Sequence, residues 1–350
     1  MDIAFDLPKS ELHLHLDGSL DPDFIASRAV DRGVQLPVEA SKLREYLHVL
    51  KSKRSHIGDS VSTNSNWSNF DFCNQFLQTK EELKQATRSL CKKLRDDNVV
   101  LAEIRFCPAL HTLEGLSVND VVEGVVSGFQ DAEKSYDIKG GIIICALRSY
   151  GVSHTCEMVE LAASWIGKGV IGFDIAGDEG AFPLNIHEDG IKKAVDVDLP
   201  ITLHAGEWPE NTVRNIELAV DLGIRRLGHG ITLCKDNALM ERVASLGITV
   251  ECCLTSNVGW KVPSYKEHPI RKMFDAGIKV CINSDNLLLS GTNDREAYTS
   301  GEVRHLFNDV GFSWDQVRTV LMNGVFASFS PEIDKQWLLD YEAKIEKVLM

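Results

Sequence analysis

Two histidines separated by one residue, His13 and His15, stand in an apolar segment near the start of the 350-residue chain. On a β-strand the side chains of residues i and i+2 point to the same face, so both imidazoles would share one side of a sheet. A His-x-His pair on a strand can also be purely structural, with both rings only packed or hydrogen-bonded. The pair by itself therefore leaves metal binding open.

Further polar groups stand at the ends of later apolar segments: His204 and Glu207 in LHAGE, His229 in GHG, and Asp285 in NSDN. Each has an ordinary interpretation as a hydrogen-bonded histidine, a solvated glutamate or a capping aspartate. If the segments are parallel strands of one barrel, however, their carboxyl ends meet at one mouth. The coincidence of these groups there predicts a metal site.

Three imidazoles and one carboxylate are nitrogen and oxygen ligands that suit Zn²⁺, whereas Mg²⁺ and Ca²⁺ prefer oxygen alone. We expect one Zn²⁺ per chain, with iron and manganese as the alternatives. A metal with an open position lowers the pKa of a bound water toward ~7 and makes hydroxide available at neutral pH. The pattern therefore predicts a hydrolase.

Eight short apolar segments alternate with longer amphipathic ones, which predicts an α/β fold, a (β/α)₈ barrel forming one domain over residues 1–350. An open doubly wound sheet is the alternative. The predicted strands are 11–16, 99–106, 140–147, 169–176, 200–205, 225–229, 248–254 and 279–285; predicted helices include Phe72–Arg95, Val118–Tyr136 and Asp294–Asn308. The polar stretch Ser52–Asn69 after the first strand predicts a lid, a binding insert or a mobile decoration.

Composition excludes several classes of function. The net charge of −14 disfavours nucleic acid as a partner, because a phosphate backbone attracts basic proteins. No apolar run reaches the ~18 residues of a membrane helix, and the first residues do not have the pattern of a signal peptide. Nine scattered cysteines without a C-x-x-C pair predict reduced thiols and a cytoplasmic protein.

The segments ELHLHLDGSL, DIAGDE, LHAGE, RLGHG and INSDN, in this order, resemble the adenosine deaminase family of metal-dependent amidohydrolases. The resemblance extends over essentially the whole chain. It implies a zinc-dependent hydrolytic deaminase that converts adenosine or 2′-deoxyadenosine to inosine or 2′-deoxyinosine and ammonia in purine salvage. A small purine nucleoside would be its partner.

The resemblance also implies residue roles. His13, His15, His204 and Asp285 match the metal ligands. Glu207 matches the acid that protonates purine N1, a role that requires a pKa well above the usual ~4.3. The resemblance assigns His229 to orienting and deprotonating the activated water and to stabilising the developing alkoxide, with Asp285 as a second acceptor of the water proton.

The substrate contacts implied by the resemblance are the backbone N–H of Gly177 to purine N3 and the Asp17 carboxylate to a sugar hydroxyl, with His15 beside the substrate. Asn286 departs from a family pattern that has two successive aspartates, the second of which reaches purine N7. An amide NH₂ can donate to N7 without a raised pKa, so the contact survives the change.

Alternative substrates are adenine, AMP, N6-methyl-AMP and aminodeoxyfutalosine, and a nucleotide would use basic residues such as Lys51, Lys53 and Arg54. A non-catalytic family member is a further alternative, although every ligand and the acid are present. A binuclear amidohydrolase is disfavoured because the fourth strand ends in FDIAG and its nearest lysine, Lys168, precedes that strand. The small zinc deaminase fold is disfavoured because its P-C-x-x-C motif is absent.

Overall fold

Eight parallel β-strands form the centre of the molecule, in a computed structural model that describes residues 2–52, 68–210, 212–259 and 261–350. The strands are β1 Lys9–His15, β2 Val99–Phe106, β3 Lys139–Leu147, β4 Val170–Ala176, β5 Thr202–Ala205, β6 Arg226–His229, β7 Thr249–Cys252 and β8 Lys279–Ile282. All eight expected strands are present. Most of their residues are buried on both faces, which explains their nearly continuous apolar character.

The strands follow one another in ring order. In one sheet each strand from β1 to β4 pairs in parallel with the next, and in a second sheet each strand from β5 to β8 does the same. Single parallel bridges join the two sheets, Phe173 to Ile201 on one side and Leu14 to Asp285 on the other. The order and direction of the strands confirm the expected (β/α)₈ fold, with continuous ladders confined to two halves of four strands.

Helices cover the strands and follow most of them along the chain. They are α1 Ile3–Asp6, α2 Pro22–Arg32, α3 Leu43–Ser52, α4 Ser68–Asn74, α5 Lys80–Asp96, α6 Val118–Tyr136, α7 Gly151–Trp165, α8 Glu188–Asp196, α9 Val213–Asp221, α10 Asn237–Ser245, α11 Leu254–Asn257, α12 Ile270–Asp275, α13 Asp294–Ala297, α14 Thr299–His305, α15 Trp314–Ala327 and α16 Lys335–Leu349. The helix predicted at Val118–Tyr136 has the expected bounds.

Two predicted helices are interrupted. The predicted helix Phe72–Arg95 is wrong as one element, because the chain forms α4 and α5 with a break before Thr79. The Thr79 hydroxyl accepts the amide of Glu82, whose carboxylate accepts the amide of Thr79, and this capping box starts a new helix. The predicted helix Asp294–Asn308 is likewise divided into α13, α14 and a π-helical turn at Leu306–Val310.

The last two strands end earlier than predicted. β7 ends at Cys252, and the next residues form the short helix α11. β8 ends at Ile282 because the chain then leaves the ladder: the Asn283 side chain accepts the amide of Leu12 at 2.8 Å, and the Ser284 amide donates to Glu11. Asp285 therefore lies in the loop after β8 rather than on the strand.

The predicted insert Ser52–Asn69 and the basic residues Lys53 and Arg54 lie almost entirely outside the described residues. All nine cysteines are free thiols, as expected from their spacing. None of the described helices combines the length and the apolar character needed to cross a membrane.

Candidate active site

Four side chains with metal-binding atoms meet at the carboxyl ends of the strands. His13 and His15 lie on β1, His204 on β5 and Asp285 just after β8. The Nε2 atom of His204 lies 3.0 Å from Nε2 of His13 and 3.2 Å from Nε2 of His15. Asp285 Oδ1 lies 3.5 Å from His15 Nε2, and all four ligand atoms are within 4.8 Å of one another. The structure thus brings together the four ligands expected from the sequence.

The facing imidazoles have their Nε2 atoms turned toward one another. Burial lowers the pKa of His15 to about 3 and that of His13 well below its usual value. His13 Nδ1 lies 2.9 Å from a Glu251 oxygen, and His204 Nδ1 lies 2.8 Å from an Asp174 oxygen. The Glu251 carboxylate holds the ring proton of His13 on Nδ1 and so leaves its Nε2 unprotonated, and the negative charge of Asp174 beside His204 Nδ1 favours the same arrangement there. Unprotonated nitrogens this close repel one another unless a cation lies between them, so the residues present fit a metal.

The β6 strand approaches His13 so closely that its third residue, Gly228, has to be small. A Cβ atom at Gly228 would lie 2.8 Å from Cε1 of His13, which is closer than side chains tolerate. The glycine before His229 in the RLGHG segment therefore leaves space for a ligand from another strand.

His229 and Asp285 both have left-handed backbone conformations, with φ of 65° and 63°. Such conformations cost residues other than glycine about 1–3 kcal/mol and are found at functional sites. Ser256 donates a hydrogen bond of 2.5 Å to Asp285 Oδ2. Burial would raise the pKa of Asp285, but the imidazoles of His229 and His15, the Ser256 hydroxyl and the Lys261 ammonium group together hold it below its usual value. The strained turn therefore presents an ionised, oriented carboxylate.

Glu207 lies beside His229, as the LHAGE and GHG segments predicted. Its Oε1 atom is 3.4 Å from His229 Nε2 and also contacts the ammonium group of Lys261. The Glu179 carboxylate accepts the amides of Gly206 at 2.7 Å and Glu207 at 2.8 Å and so fixes the loop. Sequence reasoning missed both Lys261 and Glu179, although Glu179 belongs to the DIAGDE segment.

The three expected substrate contacts lie at strand ends. Asp17 is buried in the turn after β1, and burial raises the pKa of its carboxyl to about 6. Gly177 follows β4 with φ of 107°, a conformation that favours glycine. Asn286 follows Asp285 and packs against Gly18, where any side chain would overlap it.

A buried ionic network supports the ligands from inside the ring, and sequence reasoning missed it. Arg105 lies 2.6 Å from Asp174 and 2.9 Å from Glu251, the two carboxylates that face His204 and His13. Arg226 lies 2.7 Å from Glu251 and 2.7 Å from Glu103. The signal in the sequence was charged residues within apolar strand segments, such as VVLAEIRF and GVIGFDIA. Buried charges of this kind require partners.

Comparison with known proteins identifies the family of the chain. The family profile described as Adenosine deaminase matches residues 8–345. The adenosine deaminase of Clostridium acetobutylicum is 35% identical over 95% of this chain and 96% of its own length. The chain belongs to the adenosine deaminase family. It is accordingly a hydrolytic deaminase, from a family of metal-dependent enzymes.

Solved structures of other proteins share the fold of this chain. An adenine deaminase from Arthrobacter aurescens superimposes with a TM-score of 0.84 at 24% identity, covering 98% of this chain and 99% of that one. An amidohydrolase from Burkholderia ambifaria with bound zinc also gives 0.84, at 21% identity, with 99% and 94% covered.

Glu251→Gln tests the network under the ligands. Glu251 is fully buried and contacts His13, Arg105 and Arg226, so removal of its charge leaves two buried guanidinium groups undercompensated. We expect a loss of about 3–5 kcal/mol in the free energy of unfolding and about 10–100-fold weaker metal binding, measured by denaturant titration and metal competition. Glu160→Gln, which removes an exposed pair with Lys193, should change stability by less than ~0.5 kcal/mol. Equal stability of the two variants would contradict this role.

Proposed function

We propose that the protein catalyses the zinc-dependent hydrolytic deamination of adenosine and 2′-deoxyadenosine to inosine and 2′-deoxyinosine, with release of ammonia. The observation that carries the proposal is the inward-facing set of His13, His15, His204 and Asp285 with Glu207 and His229 beside it. Curated relatives that are 34–36% identical to this chain are named adenosine deaminase. That agreement supports a nucleoside as the substrate.

The proposed metal is one Zn²⁺ per chain, held by His13, His15, His204 and Asp285, with iron or manganese as the alternatives. Two nitrogens that each lie about 2.0–2.1 Å from one zinc ion, with roughly 90–110° between the two bonds, are about 2.9–3.4 Å apart. The Nε2 separations of 3.0 and 3.2 Å fall within that range. The zinc in the related amidohydrolase supports the same choice. When bound, the metal supplies a Lewis acid that makes hydroxide available from water at neutral pH.

The chain's own residues would bind the purine and move protons. We propose that Glu207 protonates N1, which makes C6 electrophilic, and that Asp285 and His229 face the attacking water. The amide of Gly177 would donate to N3, Asn286 to N7, and Asp17 would contact a sugar hydroxyl, with His15 beside the base. Attack of the water oxygen at C6 followed by loss of the amino group as ammonia gives the 6-oxopurine.

Other 6-aminopurines are the second candidates. The Arthrobacter neighbour is an adenine deaminase, which supports free adenine as the alternative within the same chemistry. AMP, N6-methyl-AMP and aminodeoxyfutalosine keep the same reacting atoms. We further propose that residues 1–350 form one domain and that the enzyme serves purine salvage in the cytoplasm, a setting that rests on the family alone.

Ammonia release from a substrate panel tests the proposed function. The zinc-loaded protein should deaminate adenosine and 2′-deoxyadenosine with the highest kcat/KM, because they supply the sugar hydroxyls that adenine lacks and do not bring a charged phosphate to the Asp17 carboxylate. The panel adds adenine, AMP, N6-methyl-AMP and aminodeoxyfutalosine, with chelated protein as the control. Activity confined to a nucleotide or to the free base would refute the nucleoside assignment, and a metal-loaded protein silent across the panel would refute the function.

A further inference from the structure

A row of buried hydrogen bonds runs from the backbone to the back of His229. The Ile270 amide donates to His268 Nδ1 at 3.2 Å. His268 Nε2 lies 3.2 Å from Asn257 Oδ1, and Asn257 Nδ2 lies 3.1 Å from His229 Nδ1. His268 is 2% exposed, and Asn257 and His229 are fully buried. Sequence reasoning assigned neither Asn257 nor His268 any role.

The direction of every bond in this row follows from its first donor. A backbone N–H can only donate, so His268 Nδ1 accepts and the proton of the neutral ring is on Nε2. Burial lowers the pKa of His268 to about 3, which keeps that ring neutral. His268 Nε2 therefore donates to Asn257, and the atom that accepts is the amide oxygen. The Asn257 NH₂ group then faces His229 and has to donate to Nδ1.

The same logic fixes the tautomer of His229. Because Nδ1 accepts a hydrogen bond from Asn257, it carries no proton, so the one ring proton of His229 is on Nε2. Nε2 makes no hydrogen bond within the described part of the chain, although it is buried. Glu207 Oε1 lies 3.4 Å from it. His229 thus presents a free N–H to the place where Glu207 and Asp285 converge.

We propose that Asn257 and His268 are positioning residues that hold His229 as the Nε2–H tautomer, so that His229 donates to the reacting oxygen and is not the base. The inference rests on the proposed function. Asp285 then takes one proton of the attacking water and passes it to the departing amino group. The proton left on the new C6 hydroxyl is transferred to Glu207, where it replaces the proton that Glu207 gave to N1. His229 keeps its proton throughout, so the reaction remains balanced as purine amine plus water to oxopurine plus ammonia.

The ring nitrogens of His229 provide a direct test without substrate. In zinc-loaded protein labelled with ¹⁵N in its histidine rings, we expect a pyrrole-like shift for His229 Nε2 and a pyridine-like shift for Nδ1. Asn257→Asp places a carboxylate acceptor at Nδ1, so that signal should become pyrrole-like, which verifies its assignment. A pyridine-like Nε2 with a pyrrole-like Nδ1 in the unsubstituted protein would overturn the proposal.

Two matched variants separate the tautomer from general packing. In His268→Gln the amide oxygen can still accept from Ile270 and the NH₂ can still donate to Asn257, so kcat should stay within about threefold. Asn257→Leu keeps the volume but removes the donor to Nδ1, and kcat should fall roughly tenfold or more with little change in KM. Equal losses in both variants would indicate packing alone and overturn the positioning role. The nitrogen shifts need no turnover, so a protein inactive on the panel refutes the proposed function without changing this result.

Discussion

Glu207→Gln is expected to lower kcat by at least ~100-fold on the preferred nucleoside, because general acid catalysis contributes about that much or more. The amide cannot protonate N1, whereas its oxygen can still accept from the Lys261 ammonium group. The backbone contacts of residue 207 with Glu179 are unchanged by the substitution. We therefore expect wild-type zinc content and a folded protein, measured by metal analysis, circular dichroism and ammonia release.

Glu210→Gln is the matched control, since it makes the same change three residues further along at an exposed position. It should retain wild-type kcat. If Glu207→Gln kept more than about a tenth of wild-type kcat while Glu210→Gln behaved as expected, Glu207 would not be the acid and another group would have to supply the N1 proton.

Removal of the metal is expected to abolish turnover and to destabilise the fold. Without a cation, the unprotonated nitrogens of His13, His15 and His204 face one another at close range. A ligand that binds only the folded state adds about 4 kcal/mol when its free concentration is a thousand times Kd. We expect Tm to fall by several degrees on chelation and to return, with activity, on addition of one zinc per chain. Binding should weaken toward acidic pH, because protons compete for the imidazoles.

Two histidine variants make this test specific to the site. His204→Asn removes a central ligand, so bound zinc and turnover should both be lost. His305→Asn changes a partly buried histidine that pairs with the exposed Asp309 and belongs to no metal-ligand group of the described residues, so it should retain both. A fully active protein with no metal detected after chelation would show that these residues act without one.

The sequence alone was sufficient to place the principal groups of the site. His13 and His15 follow the two-residue period of a strand, His204 is the next-to-last residue of β5, and His229 is the last residue of β6. In a ring of parallel strands all carboxyl ends meet at one mouth, so a position at a strand end fixes an approximate position in space. The same rule correctly placed Asp285 at this mouth beside the histidines, although β8 ends three residues earlier than predicted.

Other features were decided only by the tertiary structure. Glu251 contacts His13, from which it is separated by 238 residues of sequence. Asn257 donates to His229 and so fixes its tautomer, and Asn257 is itself oriented by His268, eleven residues further along the chain. No local pattern encodes such pairs, because a buried polar group takes whichever partner the packing of distant segments brings within reach. The sequence by itself determined which elements form and which chemical groups stand at their ends. The packing of those elements determined which proton each group carries, since that depends on neighbours from other strands.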